Sequence, residues 1–274
     1  MTEPQSIKAI DSSVQGAGEL IADSVAFRFA QFALSPISLK ARAGELTAII
    51  GPNGSGKSTL LEVLSGHLKP TSGGVFLDGQ NLHSLSPRER ARKVGLARQE
   101  TILLFSFEVQ EFVRQGRHPH LGNSLFESPE DDRWVEWALE KTCLQEFARR
   151  RIMEMSSGEF QRAVLARTLA QRPRLVLLDE PTANLDIGYQ VEIFRLLRQL
   201  ARSENFIGVV VTHELNLAAE MADYIVLLKG GKCLTQGKPE EVFQADLLSQ
   251  AFRTPVLVDK NPSSGRPRVT WVAP

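Results

Sequence analysis

Three groups of residues have types and spacings that can do chemistry. Gly51, Gly56, Lys57 and Ser58, in "GPNGSGKST", satisfy the pattern G-x-x-x-x-G-K-[ST]. Glycines at these places let successive backbone N–H groups converge on phosphate oxygens. Lys57 can then reach the outer phosphates, and the Ser58 hydroxyl can ligate Mg²⁺. The second group is Asp179 and Glu180, which end the apolar run "RLVLLDE". An acid delivered by a buried strand to the carboxyl edge of a parallel sheet suits a Mg²⁺ shell, and the acid one residue on can polarise an attacking water. His213, after "VVVT", is a third candidate at that edge. The last group, Ser156, Ser157 and Gly158, opens the helix-like run "EFQRAVLARTLAQR". A small polar cluster there leaves free N–H groups and the positive end of the helix dipole facing outward, which makes a second anion site.

The surrounding elements must place these groups together. "LTAII" reads as a short buried strand running into the glycine-rich turn and a helix, the βα unit of a nucleotide-binding α/β domain. The runs at 174–180 and 206–214 suit parallel strands buried on both faces, and "YQVEIFRLLRQLARS" and "LNLAAEMA" are helices that alternate with them. "LIADSVAFRF" and "PISLKA" are strand-like, and the first 17 or so residues form a loose polar arm. Between about 100 and 155 the texture turns helical. "SPEDDRWVEWALEKTCLQEFARR" has Ser128 as N-cap, Pro129 at the first helical position and acids in the first turn. The expected fold is therefore an α/β phosphate-loop core with a mixed sheet, an antiparallel β subdomain and an inserted helical subdomain over about 100–170, within a single domain from 18 to 274.

Lys plus Arg equals Asp plus Glu, 32 each, which argues against a general nucleic-acid binder. Cys143 and Cys233 stand in no metal or redox spacing, as suits a reducing compartment. The N-terminus lacks the basic-then-apolar order of a signal peptide, and no apolar run approaches the ~20 residues needed to span a bilayer. The expectation is a chain in the cytosol that reaches a membrane only through a partner. His118 and His120 are a lone pair better read as part of a solvated loop than as a metal site.

Together these motifs resemble the ATP-binding subunit of the ABC transporter family, from about residue 20 to the C-terminus. "MSSGE" (155–159) is similar to that family's signature motif, Leu-Ser-Gly-Gly-Gln. The resemblance implies a head-to-tail homodimer with two ATPs sandwiched between the chains. Ser156, Ser157, Gly158 and Glu159 would then bind the γ-phosphate held by the partner's phosphate loop, which explains a second anion site. It also implies that Asn53, Gly54, Ser55, Gly56, Lys57, Ser58 and Thr59 cradle ATP, that Ser58, Asp179 and Gln99 hold Mg²⁺, and that Glu180, His213 and Gln99 serve hydrolysis. Gln99 would relay to the membrane partner and Asp186 across the dimer. The adenine-stacking ring is best aligned with Phe27, with Phe29 as the alternative; either gives a ring face without a hydroxyl. Met155, Ser157 and Glu159 depart from the motif, and Ser157 matters most, because glycine there would permit a positive φ or close phosphate approach.

"VQEFVRQGRHPHLG" (109–122) and the tail from "GKPEEVFQ" to "GRPRV" resemble the branch that imports iron–siderophore chelates, haem and cobalamin. That implies two transmembrane permease subunits, an external substrate-binding protein acting through them, and a peripheral place on the cytoplasmic face of the inner membrane. Arg114 and Arg117 are expected on the face that docks the permease. The alternatives are an importer of another solute, such as zinc or manganese, or a soluble ABC ATPase working on ribosomes or DNA. The latter would carry a second cassette or a long coiled coil, and neither is seen. A non-hydrolysing regulator would lack Glu180.

Overall fold

The computed structural model describes residues 18–29, 32–99, 105–121 and 128–272; the arm expected over 1–17 lies outside them. Strands β1 (Glu19–Phe29) and β2 (Phe32–Arg42) lead to β3 (Leu46–Ile50), the phosphate loop and helix α1 (Lys57–Leu64). Strands β4 (Ser72–Leu77) and β5 (Gln80–Asn81), helix α2 (Pro87–Lys93) and strand β6 (Val94–Ala97) follow. Helices α3 (Val109–Arg114), α4 (Pro129–Lys141) and α5 (Ser157–Ala170) come next. The chain then alternates through β7 (Leu175–Asp179), α6 (Ile187–Glu204), β8 (Ile207–Val211), α7 (Leu215–Met221), β9 (Tyr224–Lys229) and β10 (Lys232–Gly237). It ends with α8 (Pro239–Val242), α9 (Ala245–Phe252), β11 (Val256–Lys260) and β12 (Pro267–Trp271).

The central sheet has the order β10-β9-β3-β8-β7-β6, parallel except for β10, which pairs antiparallel with β9. All residues of β3 and β8 are buried, as continuous β-branched and leucine runs covered on both faces should be. An antiparallel sheet, β2-β1-β4-β5, shares a core with α1 and one face of the central sheet through Leu20, Ile37, Leu39, Leu60, Val75 and Val209. The opposite face packs against α5, α6 and α7 and the helices α3 and α4. Burying each leucine or isoleucine of these cores contributes about 1.5–3 kcal/mol. This is the mixed α/β phosphate-loop fold with antiparallel and helical parts that the sequence predicts.

Helix α4 begins as its sequence dictates. The Ser128 hydroxyl accepts from Asp131 N, and the Asp131 carboxylate accepts from Ser128 N at 3.1 Å, a reciprocal cap on Pro129. The other Asp131 oxygen accepts from Arg117 Nε at 2.8 Å, and Arg117 also donates to the Ala170 carbonyl at 2.8 Å. Arg117 is only 4% exposed. This corrects the expectation of Arg117 on a docking face: a guanidinium this buried, paired with its carboxylate, ties α4 to the end of α5. Arg114 pairs with Asp132 on the same helix, and His120 Nε2 lies 2.8 Å from the Gln171 carbonyl.

Candidate active site at the carboxyl edge of the central sheet

The parallel register sets the site. Neighbouring strands β3, β8, β7 and β6 release Gly51, His213, Asp179 with Glu180, and Gln99 at one edge. Two glycines of the phosphate loop are required by geometry. Gly51 has φ 151°, and a Cβ there would lie 2.2 Å from the Leu228 carbonyl oxygen. Gly56 caps α1 at φ 99°, and its Cβ would meet the Phe32 ring at 2.7 Å. Lys57 Nζ turns back onto the loop, donating to Gly51 O at 3.0 Å and Pro52 O at 3.2 Å. Burial lowers its pKa, against the opposing pull of Glu180 and Asp179. Ser55 is buried, with a side-chain oxygen that has no hydrogen-bond partner; Asn53, Gly54 and Ser58 are exposed and Thr59 half-buried.

Glu180 is the centre of the arrangement. Its φ of 50° puts a non-glycine residue in the left-handed region, held there by Glu180 N donating to Val211 O at 3.0 Å and Ala183 N donating to Glu180 O at 3.1 Å. Such a backbone costs on the order of 1–3 kcal/mol and is retained where surroundings impose it. The turn aims the carboxylate between two partners: Oε1 is 2.5 Å from His213 Nε2, and Oε2 accepts from Gln99 Nε2 at 3.0 Å. A carboxylate braced by an imidazole and an amide, beside a buried lysine, can take a proton from a water at this edge.

Asp179 bonds the Ser58 hydroxyl, and burial raises its pKa, a shift that the neighbouring Glu180 charge adds to and the Ser58 bond opposes. Its Oδ1 is buried without a hydrogen-bond partner. An orphaned carboxylate oxygen on a residue that also bonds a hydroxyl is a hard oxygen donor set, which fits Mg²⁺.

The second group lies on α5. Ser156 is the N-cap: its hydroxyl accepts from Glu159 N, while the Glu159 carboxylate accepts from Ser156 N at 2.8 Å and Ser156 Oγ at 2.9 Å. Those bonds, the backbone one foremost, hold the Glu159 carboxyl below its ordinary pKa. Ser157 is exposed, has no positive φ, and is the first residue of the helix. Serine at this departure from the motif is therefore unstrained. Gly158 is buried against Tyr189 of α6. Asp186 caps α6 by accepting from Tyr189 N at 3.1 Å. None of Ser156, Ser157 and Gly158 is bonded to Lys57, Glu180 or His213 among the described residues.

Phe29 at the end of β1 is 71% exposed, whereas Phe27 is half-buried against the core under the antiparallel sheet. Reading the sequence missed two residues that shape the edge. Arg98 forms a fork with Glu62 of α1, Nε–Oε1 at 2.9 Å and Nη2–Oε2 at 3.2 Å, tying the residue before Gln99 to the phosphate-loop helix. Tyr189, beside Gly158, was equally hidden. An arginine after a short strand and a tyrosine in a helix carry no local signal; only tertiary contact gives them a role.

Residues 34–183 match the ABC transporter family. The chain is 38% identical over 237 residues to the cobalamin import ATP-binding protein BtuD of Halobacterium salinarum, covering 86% of this chain and 59% of that one. It thus spans only about three-fifths of that relative's length. Ferric enterobactin transport ATP-binding protein FepC of Escherichia coli K12 is 38% identical, with 82% and 83% covered. Hemin import ATP-binding protein HmuV of Escherichia coli O157:H7 is 40% identical, with 85% and 91% covered. An ATP-binding cassette solved as a dimer in a post-hydrolysis state with ADP and inorganic phosphate superposes with a TM-score of 0.67 at 29% identity, over 80% of this chain and 98% of that one. A phosphate loop, a braced glutamate and a serine-capped second helix on this fold, with these relatives, lead to one assignment: the chain belongs to the ABC transporter family, among its ATP-binding subunits.

Proposed function

We propose that this chain hydrolyses ATP in a head-to-tail homodimer and powers a permease that imports an iron chelate, haem or cobalamin. The observation that carries the reading is the Glu180 carboxylate held between His213 and Gln99, beside Lys57. Lys57 would leave the loop carbonyls for the β- and γ-phosphates. Glu180 would accept the proton of the attacking water as the bond to the ADP oxygen breaks, with His213 contacting the γ-phosphate. Ser58, Asp179 and Gln99 would hold Mg²⁺, which when bound neutralises charge on the phosphoryl oxygens. Phe29, as the exposed ring, is the residue we assign to adenine.

The dimer reading is supported by Ser157 at an exposed helix start and by the dimeric cassette among the similar structures. The cargo class is supported by the names of the relatives and by the resemblance of residues 109–122 and the C-terminal tail. The assignment puts the chain at the cytoplasmic face of a membrane, held by two permease subunits served by an external binding protein; no helix among the described residues is long and apolar enough to cross a membrane. A cleft of about 580 Å³, lined by Arg90, Gln115, His118 and Arg167, lies where residues 115–119 meet α2 and α5. It is the proposed seat of the permease's cytoplasmic helix. The test is Glu180→Gln: it should bind Mg-ATP, hydrolyse it very slowly and accumulate as an ATP-bound dimer on size exclusion. A variant that stays monomeric and turns over normally removes the reading.

A further inference from the structure

The last two strands join neither large sheet. β11 and β12 pair only with each other, from Val256↔Trp271 to Lys260↔Pro267. What the hairpin holds is α7, the helix that begins two residues after His213, and it grips both ends. At the first turn, the Asn216 side chain imitates a strand neighbour: Val269 N donates to Asn216 Oδ1 at 2.8 Å, and Asn216 Nδ2 donates to Val269 O at 3.2 Å. At the last turn, Arg266 Nη1 donates to the carbonyls of Ala219 at 3.4 Å and Ala222 at 3.2 Å. There too Glu220 Oε2 accepts from Ser264 Oγ at 2.7 Å and Asn261 Nδ2 at 3.3 Å. Val256 and Val269 are buried in the same core as Leu215, Ala218, Ala219 and Ala222. The hairpin is anchored in turn to α9, where Val256 N donates to Ser249 Oγ at 3.1 Å and the Trp271 ring meets Phe252 edge-on.

We infer that the C-terminal hairpin is a brace that sets the position of His213 relative to Glu180, with Asn216 as its main positioning residue. A helix of seven residues is too short to hold its own place. His213 stands immediately ahead of it, with a side-chain nitrogen 2.5 Å from Glu180 Oε1, a separation that small shifts of α7 would open. Fixing the first turn to Val269 and the last turn to Arg266 removes both the translation and the rotation that would move the imidazole. Asn216 touches no reacting atom. It acts through the three-residue link to His213.

This rests on the reading of His213 as a γ-phosphate contact, so the test carries both. In the full chain, Asn216→Leu removes both bonds at similar volume, and Arg266→Met releases the other end of the helix. Each is compared with His213→Ala and with the double variant Asn216→Leu/His213→Ala for kcat, KM for ATP and thermal midpoint. Each is also labelled on the histidine rings, His213 being one of five, so that its carbon signal is followed at fixed pH. Misplacement of this kind should lower kcat about tenfold in Asn216→Leu while KM stays within about twofold. The His213 ring signal should move towards the position recorded in Glu180→Gln, with Arg266→Met changing both kcat and signal in the same direction. The double variant should be no slower than His213→Ala alone, because residues acting through one another do not add. Additive losses, or a normal kcat and an unmoved His213 signal in a folded Asn216→Leu, overturn the brace. If His213→Ala itself turns over like the parent, the reading of His213 fails and takes the brace with it.

Discussion

The ring of Tyr189 fills the space beside Gly158 that a side chain would need: a Cβ on Gly158 would lie 2.4 Å from Tyr189 Cδ1. Glycine at this place is therefore demanded by contact within the chain, between the start of α5 and the first turn of α6. The neighbour that faces outward is Ser157. Any substitution meant to probe a second chain must be made at Ser157, because a change at Gly158 would disturb the packing of its own subunit first.

Lys57→Ala should abolish ATP turnover. The ammonium now shared between the Gly51 and Pro52 carbonyls is the only cation the loop offers to the phosphates within reach of those bonds. Steady-state phosphate release decides it, and full activity in the variant removes the nucleotide site from this loop.

Asp179→Asn should stabilise the nucleotide-free chain and remove the stabilisation by Mg-ATP. The folded pKa of Asp179 is raised, chiefly by burial. The folded state thus favours the protonated acid, and stability is lost as pH rises from the unfolded value through the folded one. At neutral pH the chain carries that cost, which an uncharged amide avoids; the gain is on the order of 1 kcal/mol for relieving a buried unpaired group. Thermal melts without nucleotide should rise, and the further rise on adding Mg-ATP should vanish. A melt that falls, with Mg-ATP protection intact, would show that the orphaned oxygen is not a metal ligand.

Phe29→Ala should raise KM for ATP about tenfold, the scale of losing one base–aromatic stack. Phe27→Ala should instead lower the melting temperature with little change in KM, since that ring packs on the core. The opposite pattern returns the adenine to Phe27.

Much of this was legible in the sequence because it is local. A phosphate loop between a buried strand and a helix, and Ser128–Pro129 at a helix start, are written in consecutive residues. That Gln99 joins Glu180 and His213 at this edge was legible only through resemblance, since 81 residues separate the bonded Gln99 and Glu180. Arg117 was misread for a physical reason: nothing near it in sequence reveals that Asp131, fourteen residues on, is turned inward to meet it. The terminal hairpin's grip on α7 was also invisible, as Asn216 and Val269 are 53 residues apart.

Arg117 and Arg90 should accordingly behave differently. Arg117→Met leaves the Asp131 carboxylate buried and unpaired, a loss of about 3–5 kcal/mol, so basal and permease-stimulated hydrolysis should fall together with the melting temperature. Arg90→Glu, on the cleft, should reduce stimulation by the permease while basal hydrolysis and melting stay near the parent. Equal losses of both activities in Arg90→Glu would move the docking face elsewhere.

The signature serine gives the sharpest test of the dimer. Ser157→Glu places a negative charge at an exposed first position of α5, where acids suit the helix itself and the subunit should fold normally. If this end of the helix meets the γ-phosphate on another chain, the variant should bind ATP at its own Lys57 loop yet fail to close the dimer. Combining it with Lys57→Ala separates the two geometries. Across a head-to-tail dimer, one composite site collects both lesions and the other, built from the Lys57 loop of the first chain and the Ser157 of the second, is intact. Within a single chain, each site would hold one lesion and neither would be whole. The heterodimer, isolated by two affinity tags, should therefore retain one slowly released ATP, bound to the chain whose Lys57 is present, while neither homodimer retains any. Retention is read rather than turnover, so the result does not depend on both sites firing together. A verified heterodimer that retains no ATP places the second anion site on its own subunit and ends the head-to-tail reading.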